Sequence, residues 1–456
     1  MANYTDVKGE YSKLKHEEGM YQAIIIGGGM AGKLIAAAIS PYFNSIEILE
    51  KDPMPENTST VRPGITQAHH IHALLHAGEQ ALEKLFPGFQ HDMVKRGSIK
   101  IDSLKDLAWF HHGVWKLRHT SKDTTLLQTR PLLESYIAER IHQIPNITYT
   151  YGIKVKSYLL TADQTKVRGV EVLQEGKTKS IKGDLVIDTS GAASFTKAWL
   201  ENQGRTVPEE KVEIGLCYAT RRFRLSETPN DFKIKIIYPE PPNQTLGGTM
   251  SMVENNQFIV TLNGYLNTID PSSVKDAKGF MELTHKLPLP DIYHALQKST
   301  SNSETAIYQV PHIKWRHFEK VDLPAGLLVA GDSICRIDPV FGQGMSIAAL
   351  EALTIRDYFA SKSITGQFKS LQRKLAKIIA PVWLMVLSED FRYDEVRGKK
   401  PFGLKGLQWY VKRIFLLSSK NKRIYKDLVK VMNLVSPAAI LFKPNTLLDV
   451  LKGKKM

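Results

Sequence analysis

The run Ile24-Ile25-Ile26-Gly27-Gly28-Gly29-Met30-Ala31-Gly32 stops an apolar strand on glycine and reopens as an Ala-rich stretch. Gly27, Gly29 and Gly32 have the G-x-G-x-x-G spacing, and a second apolar run, 45–50, closes on Glu50. Strand, glycine turn, helix, strand and acid in that order form a nucleotide-binding unit. Gly27 permits the tight turn, Gly29 lets backbone approach a pyrophosphate, and Gly32 lets helix and strand pack closely. The helix N-terminus, opening at Met30 and Ala31, offers unpaired N–H groups to phosphate, and Glu50 can accept from a ribose. Lys51 follows it directly.

At 456 residues the chain implies two or three domains. Hydrophobic content of 43% and charged content of 23% are globular values. Cys217 and Cys335 form no C-x-x-C pattern, which excludes a disulfide framework or a cysteine zinc site and suits a reducing cytoplasm. The stretch to Met20 is polar and has no apolar h-region, so no secretory signal is expected, and no uninterrupted apolar run is long enough to span a membrane.

The net charge of +15 is segregated. From Val396 to Met456 fifteen Lys and Arg face only Asp427 and Asp449, a net of +13, which leaves +2 for everything before. A nucleic-acid-binding core would carry its basic residues on its working face, so nucleic acid is not an expected partner. In the tail, Leu407-Gln408-Trp409-Tyr410-Val411-Lys412-Arg413-Ile414-Phe415 sets apolar beside basic residues at helical spacing. Two readings stay open: peripheral contact with an anionic membrane, or a helical cap packed on the body with a solvated basic face.

Strands are expected at 147–151, 153–159, 167–173 and 184–189, and helices at 71–86 and from Pro131 to 144. Residues 105–118 read as a hairpin. From about 212 to 263 longer polar–apolar alternation marks a sheet with one solvated or ligand-facing side. Phe223, Ile236, Tyr238, Met250 and Met252 are candidates for a dry wall there, or for plain core.

A second glycine-rich segment, Leu327-Leu328-Val329-Ala330-Gly331-Asp332-Ser333 continuing to Asp338-Pro339-Val340-Phe341-Gly342-Gln343-Gly344-Met345, is a strand, a Gly-Asp turn and a Gly-x-Gly entry to a helix. Asp332 can bind sugar-like hydroxyls. Gly342 and Gly344 allow close approach to a flat ring, towards which the helix from Met345 aims its positive end. Between the two segments lie Asp188-Thr189-Ser190-Gly191, closing a strand, and Gln128-Thr129-Arg130-Pro131, ahead of a helix.

These four elements in this order resemble the group A FAD-dependent monooxygenases, the p-hydroxybenzoate hydroxylase superfamily, over roughly residues 20–390. The resemblance implies an α/β fold with α+β elements. A discontinuous Rossmann-like FAD-binding domain would take 20–95, 120–200 and 310–390, a β-sheet substrate domain 96–119 and 201–309, and a basic helical C-terminal extension 391–456. It implies FAD, with Glu50 as ribose acid, Arg130 as FAD-contacting arginine and Asp332 as ribitol acid. Where the family's middle motif has a second acid this chain has Ser190, closer to squalene epoxidase-like proteins, geranylgeranyl reductases and flavin halogenases. That leaves the reductant as NADPH or NADH, used directly or through a flavin reductase partner. The stretch Arg62-Pro63-Gly64-Ile65-Thr66-Gln67-Ala68-His69-His70 is similar to the bacterial polyether epoxidase branch, which places Arg62 near the flavin phosphates or the reductant entry and Val155 at the adenine.

The expected cofactor-binding set is therefore Gly27, Gly29, Met30, Ala31, Gly32, Glu50, Lys51, Arg62, Arg130, Val155, Gly331, Asp332, Gly342, Gly344 and Met345. The implied oxidoreductase is a monooxygenase that epoxidises or hydroxylates a lipophilic secondary metabolite with molecular oxygen, through a flavin hydroperoxide. The alternative is an alkene reductase of the geranylgeranyl type acting on a prenyl lipid. A halogenase is disfavoured, since Trp315 stands without a Trp-x-Trp-x-Ile-Pro segment. No side chain is assigned a catalytic role. His69, His72 and His76 could share a helix face, but no acid or cysteine accompanies them closely, and no metal is expected.

Overall fold

The computed structural model describes residues 20–54, 66–72, 74–226, 229, 231–301, 303–362 and 366–452. Arg62 lies outside the described residues. The fold is mixed α/β. Five parallel strands run in the order Leu327–Val329, Leu185–Asp188, Gln22–Ile26, Ser45–Leu49 and Ile147–Thr150. Ala23 to Ile26 are buried, as expected of a strand covered on both faces. Later strands add first on one side of Gln22–Ile26 and then on the other, so a switch point lies at its carboxyl end, where α/β sheets bind ligands.

One face of this sheet carries the helices Met30–Ile39 and Gly344–Phe359, whose apolar sides merge into the largest core. Against the other face lies an antiparallel sheet of Lys154–Leu160, Val167–Gln174 and Lys177–Lys182, with Tyr158, Val167, Val170 and Val172 packed on Ile24, Ile26, Val186 and Leu327.

A larger, nine-stranded sheet is built around Glu209–Leu225, which pairs with both Gln257–Gly264 and Ala306–Arg316. One of its faces is closed by the helices Ala277–His285 and Asp291–Leu296. The expected hairpin is present as Leu107–His111 and Val114–Trp115 at the sheet's edge. The helix expected at 71–86 spans only His76–Leu85. The preceding residues are drawn onto the large sheet instead, where His70 Nδ1 lies 2.7 Å from Thr220 Oγ1 and Ile71 N–H donates to Thr261 Oγ1.

The C-terminal helices Leu404–Leu417, Lys422–Met432 and Pro444–Lys452 pack on the hairpin. Ile414, Phe415, Ile424, Tyr425 and Leu428 meet Leu104 and Trp109 in a separate core. The apolar stripe of the tail thus covers the body. Among the described residues no helix is long and apolar enough to cross a membrane.

Candidate functional site

The first glycine turn is built to be empty of side chains. Gly27 has φ +98°, and a Cβ there would lie 2.7 Å from the Thr189 carbonyl oxygen. A Cβ on Gly32 would stand 2.0 Å from the Gly27 carbonyl oxygen, so the helix can approach its strand only with glycine. A Cβ on Gly29 would meet no protein atom within 4 Å, because that side of the turn opens on a cavity. The helix Met30–Ile39 has no side-chain cap at Gly29, so its first N–H groups face the same space. Glu50, buried at the end of Ser45–Leu49, accepts from Gly28 N–H at 2.9 Å and Asp52 N–H at 3.1 Å. It pins the turn it was expected to accompany.

The late segment arrives at the same place. Gly331 (φ +64°) packs so tightly on the first helix that a Cβ would lie 2.8 Å from the Ala31 Cβ. Residues three hundred positions apart thus share one contact. Glu351 holds Gly331 by accepting its N–H at 2.7 Å, and burial pushes the Glu351 carboxyl up to about 8. Asp332 presents its side chain to the cavity. Its protein surroundings raise its pKa, against the pull of Arg336, Arg130 and Arg316. A Cβ on Gly344 would also meet nothing, and the helix Gly344–Phe359 likewise begins without a side-chain cap.

Between these segments the strand Leu185–Asp188 ends in a polar knot. Asp188, fully buried, accepts from Ser190 N–H, the hydroxyls of Ser190, Ser194 and Thr196, and that of Ser333 beside Asp332. Arg130 opens the helix Arg130–His142, capped by Thr129, and its guanidinium is held by Glu134 at 2.7 Å.

Together they enclose a cavity of about 900 Å³. Of the expected residues, Gly27, Gly29, Met30, Ala31, Glu50, Lys51, Arg130, Val155, Gly331, Asp332, Gly342, Gly344 and Met345 line it, and Gly32 stands behind the turn. Sequence reasoning missed Tyr218, Tyr308 and Arg336, which line the cavity from the large sheet; the Tyr308 hydroxyl accepts from Arg336 at 2.7 Å. It also missed Gln343, a buried lining residue whose amide atoms have no partner. The neighbouring Gly342 and Gly344 were the available signal.

A smaller cavity of about 180 Å³ adjoins the first, sharing Ile71, Tyr218, Pro339 and Gly342. Strand parity decides its lining. Trp109, Ile236, Thr249 and Thr261 lie in one cross-strand row of the large sheet, and Tyr238, Asn263 and Tyr218 stand two residues further along. All seven face the cavity. Of the five dry-wall candidates, Ile236 and Tyr238 line it. Phe223, Met250 and Met252 belong to the core on the opposite face. The roof includes Val429, Met432 and Asn433 from the C-terminal extension. Among the described lining residues none is charged.

His69, His72 and His76 do not share a helix face, since the helix begins at His76. The one group of metal-competent side chains among the described residues is elsewhere: His111 and His112 approach Glu389 at 3.5 and 3.4 Å. Arg392 holds the same carboxylate in a fork at 2.9 and 3.0 Å, and the approach of the two histidines to Glu389 joins the hairpin region to the helix Lys369–Asp390. Next to it, Asp390 faces Asp338, and burial together with repulsion from Asp338 pushes the Asp390 carboxyl well up.

No protein-family model matches the chain. It is similar to Protein Rv3254 of Mycobacterium tuberculosis, 28% identical over 392 residues that span 83% of this chain and 81% of that protein. Among solved structures, p-nitrophenol 4-monooxygenase PnpA from Pseudomonas putida matches with a TM-score of 0.65 at 15% identity, over 92% of this chain and all of that one. The flavin-dependent halogenase CmlS matches at 0.66 and 16% identity, over 89% of this chain and 74% of its own. The flavin-dependent brominase Bmp2 matches at 0.65 and 13% identity, over 91% and 93%. At these identities the likeness is one of fold.

Proposed function

We propose that the chain is an FAD-dependent oxidoreductase, and specifically a monooxygenase that epoxidises or hydroxylates a lipophilic small molecule. The observation that carries this reading is the meeting of two glycine-rich segments, 27–32 and 331–345, around one cavity with two uncapped helix N-termini. The fit to FAD rests on the residues themselves. Gly29 and Gly344 leave open the space a Cβ would fill, the volume of about 900 Å³ suits a large cofactor, and Arg130 and Arg336 supply positive charge. Glu50 and Asp332 would take the two sugar-like portions, Val155 would border the adenine, and Met345 with its helix N-terminus would face the ring's pyrimidine side.

Bound FAD would supply the activation of oxygen. The protein's part would be to bind the ring, hold the substrate in the adjoining cavity and exclude water there. In this reading the parallel sheet and its helices serve the cofactor and the large sheet serves the substrate. The uncharged smaller cavity supports a lipophilic substrate. The squalene epoxidase-like and polyether epoxidase branch, and a secondary metabolite as substrate, extend this reading from the sequence.

The test is the visible spectrum of the purified protein, as isolated and after incubation with FAD. Flavin maxima that bleach with NADPH or NADH in the absence of oxygen, directly or on addition of a flavin reductase, are the expected result. A protein that stays colourless ends the reading, and product formed from a prenyl lipid without oxygen replaces the monooxygenase with the reductase.

The reading extends to peripheral contact with an anionic membrane. Phe442, Leu447, Leu448 and Leu451 are exposed together at the end of the extension, beside Lys443 and Lys452. Apolar residues rimmed by lysine suit such a surface. Sedimentation with phosphatidylglycerol-containing vesicles is expected to fall at least several-fold in the Leu448→Glu/Leu451→Glu variant, and equal sedimentation of both proteins would end the idea.

A further inference from the structure

The smaller cavity has a polar feature that the lipophilic reading does not use. Asn263 is 6% exposed, lines the cavity, and its Nδ2 has no hydrogen-bond partner. Among the described lining residues only one other buried side-chain nitrogen or oxygen is unpartnered, Trp109 Nε1. Several of the other polar lining residues are engaged. Thr261 Oγ1 is bonded to Thr220 and Ile71, Thr125 donates to Glu79, and Asn433 holds His76 N–H. A buried donor without an acceptor costs about 1–3 kcal/mol, so a site that keeps one is complementary to a ligand that brings the acceptor.

Position separates the two donors. Asn263 pairs across the sheet with Tyr218, which lines both cavities. Trp109 stands three strands away, edge-on to Phe415 of the C-terminal extension at 5.5 Å. Of these two donors Asn263 therefore stands nearer the cofactor cavity. With no charged side chain in the lining, an ionised ligand would lose its hydration without gaining a counter-charge.

We infer that Asn263 is the specificity-determining anchor of this cavity, and that the substrate is an uncharged, largely apolar molecule with a carbonyl or ether oxygen held by the Asn263 amide close to the reacting carbon. This rests on the proposed monooxygenase reading for the identity of the neighbouring cavity. The orphaned donor is a property of the smaller cavity alone.

The test uses three probes of nearly one shape: 2-acetylnaphthalene, 2-ethylnaphthalene and 2-naphthoate. Binding to the purified full chain is measured by equilibrium dialysis, with flavin content recorded on the same sample. The ketone is expected to bind about tenfold more tightly than the hydrocarbon, and the carboxylate most weakly. In Asn263→Leu the preference for the ketone is expected to vanish while hydrocarbon affinity is kept, which also shows that the cavity is intact. A preference that survives Asn263→Leu but disappears in Trp109→Phe would move the anchor to the indole and overturn the inference. So would no preference in the parent protein, tightest binding of the carboxylate, or binding of none of the three. Colourless protein that still discriminates ketone from hydrocarbon would end the monooxygenase reading and leave the anchor standing.

Discussion

Gly32→Ala is expected to yield a protein that takes up no FAD and unfolds earlier than the parent. The new methyl would stand 2.0 Å from the Gly27 carbonyl oxygen and 2.9 Å from Thr189 Oγ1. The first obstacle is backbone, and it belongs to the turn that Glu50 pins through Gly28 N–H, so relief requires the helix Met30–Ile39 to move away from its strand. Overpacking of this kind costs about 1–3 kcal/mol, and the displaced helix N-terminus no longer points into the cavity. Gly29→Ala separates the two effects. Its methyl would meet no protein atom within 4 Å, so the thermal midpoint of the flavin-free protein should stay put while flavin affinity falls at least about 100-fold, because on the proposed reading the methyl would enter the space of the pyrophosphate. Flavin titration and calorimetry on both variants check this. Wild-type flavin affinity in Gly29→Ala would mean that the turn faces something other than a cofactor phosphate.

The second large effect is expected at Phe415, where the basic tail meets the body. Its ring is buried between Trp109 at 5.5 Å and His111 at 4.4 Å, with the Lys116 ammonium 5.0 Å from its face. Lys116 is itself buried and donates to the His111 and Phe415 carbonyl oxygens, and desolvation draws its pKa down to about 7. Phe415→Ala removes the aromatic contacts and leaves a void under that ammonium, so a loss of about 3–5 kcal/mol is expected, read as an earlier denaturant midpoint. Trp409→Ala, six residues earlier on the solvent side of the same helix, should cost under about 1 kcal/mol. Equal losses at the two positions would show that the extension is not docked through its buried stripe. Truncation before Val396 would accordingly remove a wall of the smaller cavity together with the basic charge, since Val429, Met432 and Asn433 lie in the extension.

The docking of this extension answers an ambiguity that the sequence carried. Apolar and basic residues at helical spacing describe a membrane-surface helix and a packed cap equally well, because periodicity identifies a stripe without saying what covers it. The stripe containing Ile414, Phe415, Ile424 and Leu428 is covered by protein, while Trp409 and the short terminal cluster around Leu448 stay exposed. The dry-wall candidates divided for a similar reason. Alternation separates two faces of a strand, but which face borders a cavity depends on what packs on the sheet. The helices Ala277–His285 and Asp291–Leu296 cover the side carrying Met250 and Met252.

The residues of this chain determined by themselves a glycine turn between strand and helix, its acidic companion Glu50, and a second Gly-Asp turn beside Asp332. Steric exclusion at a missing Cβ and the geometry of a helix N-terminus act over a few positions, and therefore leave local marks. Only the tertiary structure decided that Gly331 rests on Ala31, that Tyr218, Tyr308 and Arg336 reach the large cavity from another sheet, and that Asn263 opens into a cavity roofed by the C-terminal extension. Those relations come from strand pairing and from the burial of one apolar face against another, which join segments that carry no trace of each other in their own composition.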